Sequence, residues 1–130
     1  MGVHLPSVAS ETIVNTTIVT TLETVIVTLP PLNLPLDFAA VIILGTLLWQ
    51  VGTGSTTYTL RLRQGPGITG AVISGLSNVT VSSLQVVTAS ITYSDVPGAV
   101  AGQQYTITLS HTGSTGNGSV SAATMIAFSL

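Results

Sequence analysis

The sequence predicts an all-β fold, a single-domain antiparallel jelly-roll sandwich of about eight strands. Three observations carry this. The chain holds 21 Thr and 14 Ser alongside many Val and Ile. β-Branched side chains favour the pleated, half-covered positions of a sheet. Apolar and hydroxylated residues alternate with a period of two along several segments, the spacing of a strand with one face inside. Between these segments lie Gly- and Pro-rich turn sequences at fairly even spacing.

Residues 1–10 show no periodicity and read as an N-terminal arm, leaving 11–130 as the jelly-roll domain. Segments 11–20 and 21–29 read as one or two Thr/Val-alternating strands. The prolines at 30, 31 and 35 then make an extended connection, because Pro cannot donate to a ladder. Segment 39–51 is a strand apolar on both faces. Segment 56–64 alternates cleanly, with Tyr58, Leu60 and Leu62 opposite Thr57, Thr59, Arg61 and Arg63. Gln64-Gly-Pro-Gly67 turns the chain. Segment 68–75 is a weaker strand, broken at Leu76-Ser-Asn78, with 79–82 as a short edge piece. Segments 86–95 and 103–111 alternate again, separated by Val96-Pro-Gly-Ala99. A Gly-rich loop at 112–118 leads into a last strand over 119–130.

Charge is scarce. Only Glu11, Glu23, Asp37, Asp95, Arg61 and Arg63 are charged, 5% of the chain, against about 25% in an ordinary domain. Mean hydropathy is +0.69. A single free copy with so little charge tends to self-associate, so the composition points to a subunit of a larger assembly. Two Arg and no Lys cannot neutralise a run of phosphates, which argues against nucleic-acid binding. The longest apolar run, 38–49, is shorter than the roughly 20 residues of a membrane helix, and no basic cluster addresses a membrane surface. With no Cys, disulfides, thiolate metal sites and thiol nucleophiles are excluded.

No catalytic, cofactor or metal site emerges. The four acids are isolated in sequence, so a general acid/base pair has no support. A Ser-His-Asp set with His111 and Asp95 lacks a nucleophile elbow. His4 and His111 do not make a metal signature, and His111, ending a strand beside a Gly-rich loop, reads as a solvated loop residue. The Gly runs lack the Lys of a phosphate loop. The sequons at Asn15, Asn78 and Asn117 are expected by chance in so Ser/Thr-rich a chain. Arg61 and Arg63 share one strand face and are candidates for a salt bridge, either within the chain to Glu23 or Asp95 or between subunits.

Two strands depart from the one-face-in rule. In 39–51, Val41, Ile43, Leu47 and Trp49 lie on one face and Ala40, Ile42, Leu44 and Leu48 on the other. In 119–130, Val120, Ala122, Ile126, Phe128 and Leu130 are expected on one face, with Ala123, Met125 and Ala127 on the other. A strand apolar on both faces needs both covered. The expected second cover is a partner subunit, with Val41, Ile43, Leu47, Trp49, Met125, Ala127 and Phe128 as interface residues; the N-terminal arm or a loop is the alternative cover.

The hydrophobic last strand, Met125-Ile-Ala-Phe-Ser-Leu130, in an eight-strand domain of this length resembles the trimeric jelly rolls of the tumour-necrosis-factor and C1q type. The stretches 96–107 and 116–124 resemble small Thr-rich proteins of tailed phages. The resemblance implies a non-enzymatic virion protein, a homotrimeric capsid decoration or tail/fibre subunit that contacts other virion proteins. A carbohydrate- or receptor-binding sandwich and a self-assembling filament subunit are the alternative readings.

Overall fold

The computed structural model describes residues 8–14, 17–34, 40–52, 56–82, 84–97, 102–112 and 118–130, without the side chains of 76–79 and 81. These residues form nine strands and no helix: β1 (Val8–Ile13), β2 (Thr17–Val19), β3 (Thr24–Thr28), β4 (Val41–Gln50), β5 (Thr56–Gln64), β6 (Val72–Val81), β7 (Val86–Asp95), β8 (Tyr105–Thr112) and β9 (Gly118–Ser129). Two antiparallel sheets result. One runs β1-β9-β4-β7, with β2 also on β9; the other runs β3-β8-β5-β6. Apart from the β5–β6 hairpin, every connection from β2 to β9 passes from one sheet to the other, the wrapping pattern of a jelly roll.

Strand positions follow the alternation closely, and the differences have local causes. β1 begins at Val8 and pairs Val8–Ile13 with Phe128–Ala123. β1 and β2 both pair along the same side of β9. β6 is one strand where two pieces were expected. The Ser77-Asn78 break falls where the β5–β6 register shifts between Tyr58 and Leu60, so the turn-like residues form a bulge within the strand. The turn after β5 uses Gly65 and Gly67 at φ 102° and 70°, left-handed values that favour Gly.

The core lies between the sheets. Its largest fully buried side chains include Trp49, Tyr105, Ile43, Leu60, Leu62, Ile107, Leu109 and Met125. Each contributes about 1.5–3 kcal/mol by leaving water. Trp49 meets Tyr58 of the facing sheet edge-on, with ring centroids 4.6 Å apart, a favoured aromatic geometry. Gly45, mid-β4, points inward. A Cβ there would collide with the Ile107 side chain, so the absent side chain is what lets Ile107 reach across.

Candidate association surface

β4 decides which residues remain available at the surface. Its burial alternates strictly: Val41, Ile43, Gly45, Leu47 and Trp49 inward, Leu44, Thr46, Leu48 and Gln50 exposed, Ile42 half-buried. On β9, Met125 and Ala127 are fully buried. Six of the seven expected interface residues, Val41, Ile43, Leu47, Trp49, Met125 and Ala127, are therefore covered by the second sheet of their own chain. A side chain without exposed surface offers none to a neighbour. Only Phe128 lies on the outward face, half-buried. The phase of β9 also changes along its length. The register with β4 shifts between Leu48 and Trp49, pairing them with Ala122 and Val120 and leaving Ser121 as an extra residue. Val120 and Ala123 thus both face the core, where Val120 was expected with Ala122.

The second apolar face is real, but other residues carry it. Across the outward side of the β1-β9-β4-β7 sheet, the register aligns Val8, Phe128, Ile42 and Ser94 in one row. The next row is Ser10, Ile126, Leu44 and Thr92, then Thr12, Thr124, Thr46 and Ser90, then Ala122, Leu48 and Thr88. Leu44 and Leu48 are 40% and 39% exposed in mid-sheet. Among the described residues, no charged side chain stands on this face. A shallow depression of about 310 Å³ lies at its centre, lined by Leu44, Thr46, Ser90, Thr92, Thr124 and Ile126 among others. The sequence did hold a signal for the choice of face. The inward positions of β4 are apolar without a break, whereas Thr46 and Gln50 interrupt the outward ones.

The outward side of the β3-β8-β5-β6 sheet is built differently. Arg63 donates from Nε and Nη2 to the two carboxylate oxygens of Glu23, both at 2.8 Å. Its Nη1 donates to the Gly70 carbonyl at the β5–β6 turn. Thr108 donates to Glu23 at 2.6 Å. Arg61 stands 3.9 Å from the same carboxylate and donates to Ser110. The Arg61/Arg63 salt bridge is therefore made within the chain, to Glu23. The bidentate bond from Arg63 holds the Glu23 carboxyl below its ordinary range, against the opposing effect of burial. This cover explains why β8 is buried on both faces. Thr106 and Thr108, expected in solvent, are fully buried. Thr106 bonds the Gly65 carbonyl and approaches Thr28.

Other polar residues are structural. Asp95 accepts from the Tyr105 hydroxyl and from Gln64, both at 2.9 Å. Burial, reinforced by Asp95, pushes the Tyr105 hydroxyl far above the usual tyrosine range. His111 corrects an expectation. It is 3% exposed rather than solvated. Its Nε2 lies 3.1 Å from the Val19 carbonyl, which requires the proton on that nitrogen, and its backbone N–H bonds Thr20. β2 packs over it, which strand-end position alone does not reveal. Among the described residues, Trp49, Tyr58 and Tyr105 are buried and offer no ring face for sugar stacking. Among the described residues no three His, Asp or Glu side chains cluster as metal ligands. His4, Asp37, Asn15 and Asn117 and the side chain of Asn78 lie outside the described residues.

The chain matches no protein-family model and no curated protein in sequence. Its fold is similar to that of a chain in the structure of infectious bursal disease virus, Gx strain. The TM-score is 0.61 at 10% identity, over 95% of this chain but only 33% of that one. This chain thus spans about a third of the viral chain. A chain from Bacillus endospore appendages, described as disulfide-linked pili, aligns with a TM-score of 0.49 at 14% identity, over 98% of this chain and 92% of that one.

Proposed function

We propose that the protein is a non-enzymatic structural subunit of a particle, a jelly roll whose task is to associate with neighbouring subunits. The carrying observation is the uncharged apolar face formed by Ile42, Leu44, Leu48, Ile126 and Phe128, which the described chain leaves uncovered. Apolar patches of this kind mark association sites. The shared fold with a chain of a virus structure supports a particle role. In its finest form the reading is a capsid decoration or tail/fibre subunit of a phage virion. Three copies about an axis is the arrangement that the resemblance to trimeric jelly rolls implies.

Light scattering coupled to size exclusion, with electron microscopy of the same fractions, tests this. The expected result is a defined assembly at micromolar concentration, and its loss in Leu44→Lys, which puts a charge mid-face without touching the core. A wild-type chain that stays a single copy overturns the reading.

A further inference from the structure

The four sheet edges are unequal. The β1/β2 edge is made of strands of only six and three residues, and Glu11, in phase with buried Ala9, leans to its inner side. β3 has five residues and a bulge between Val25 and Val27. β6 shifts register twice against β5. Short strands, bulges and inward charges are the devices that keep an edge from pairing. β7 is neither short nor bulged, and its inward charge lies only at its end. Its ten residues pair with β4 in unbroken register from Val86 to Asp95, and no described strand is hydrogen-bonded to its other side. Its one charge, Asp95, is at the end and already held by Tyr105 and Gln64.

A free antiparallel edge presents alternate N–H and C=O groups, and what satisfies them is another extended backbone. We infer that β7 pairs antiparallel with β7 of a second copy, centred on Ser90. This register sets Thr88 against Thr92 outward and small Ala89 against Ile91 inward, with Val87 against Tyr93. Antiparallel pairing also sends the two Asp95 to opposite ends. Centring on Ile91 instead opposes Ile91 with itself and sets Asp95 against Val87. The contact joins two sheets into one and extends the apolar outward face across both copies. The inference rests on the particle-subunit reading and adds a two-fold contact to whatever that face binds.

The absence of Cys makes cross-linking clean. Ser90 and Thr46 are both exposed and face each other across β4 and β7. Edge pairing puts the two Ser90 Cα atoms about 4.5–5.5 Å apart, within disulfide reach. It leaves the two Thr46 three strand spacings apart, about 14 Å, out of reach. Under mild oxidation Ser90→Cys is expected to become mostly disulfide-linked dimer, while Thr46→Cys and, on the other sheet, Thr59→Cys remain single chains. Cross-linking at Thr46→Cys with none at Ser90→Cys places the contact on the face and overturns the edge pairing. So does a Ser90→Cys that fails to cross-link while the wild type associates, which leaves the particle reading standing. A wild-type chain that never associates overturns both.

Discussion

The two outward faces of this sandwich solve the same problem in opposite ways. On the β3-β8-β5-β6 side, Glu23 gathers both arginines and Thr108, and the arginines stand beside Thr106 and Thr108 across the β5–β8 pair. On the outward face of the β1-β9-β4-β7 sheet, no described residue is charged, and Leu44 and Leu48 stand open between rows of Thr and Ser. One face is finished by its own chain and the other is left to be covered. With so few charges, the gathering of Glu23, Arg61 and Arg63 on one outward face is what makes the molecule two-sided.

The largest effect comes from testing inside against outside on a single strand. Trp49→Ala opens the core beside Tyr58 and is expected to cost about 3–5 kcal/mol, while Leu48→Ala, one residue away, costs under about 1 kcal/mol. Urea unfolding of dilute protein reads both. Equal losses would mean that Leu48 is covered within the chain and would remove the open face.

The polar face is tested next. Glu23→Gln breaks the bidentate pair and leaves Arg63, 15% exposed, without its counter-charge. The expected loss is about 1–2 kcal/mol, limited by the partial exposure of the cluster. The folded-state pKa of Glu23 lies below its unfolded value of 4.5. Its contribution is therefore present above the unfolded pKa and lost as pH falls through the folded one. Thermal melts through the acid range should fall more steeply for the wild type than for Glu23→Gln. Parallel curves would remove Glu23 as the keystone of this face.

The smallest effect is at the β6–β7 turn, beside the edge proposed to pair. Leu84 sits at φ 57° with its side chain 58% exposed. Leu84→Gly relieves left-handed strain at no packing cost, so it should change stability by about 0.5–1 kcal/mol, upward. A marked loss in melting temperature would show that the exposed Leu84 side chain is held by contacts of its own.

Most of the architecture is legible in the sequence. Strand periodicity in 56–64, 86–95 and 103–111 located β5, β7 and β8 to within about two residues. Gly65-Pro-Gly67 marked its turn because left-handed backbone selects Gly. The exceptions have a common cause. The expected interface residues of 39–51 and 119–130 turned inward because the more continuous apolar face takes the core, and a two-faced strand does not announce which sheet will cover it. Val120 fell on the other face because one extra residue, Ser121, inverts every side chain before it.

What the sequence determined by itself is therefore local: an all-β chain, the places of its strands and turns, a shortage of charge, and strands too apolar to have only one covered side. Each rests on propensity and period, which neighbouring residues set between them. The tertiary structure alone decided what depends on distant partners. It brought Arg63 to Glu23 across 40 residues, buried His111 against Val19 across 92, and shifted the phase of β9 at Ser121. Those outcomes follow from sheet order and register, which the whole wrapped chain fixes at once.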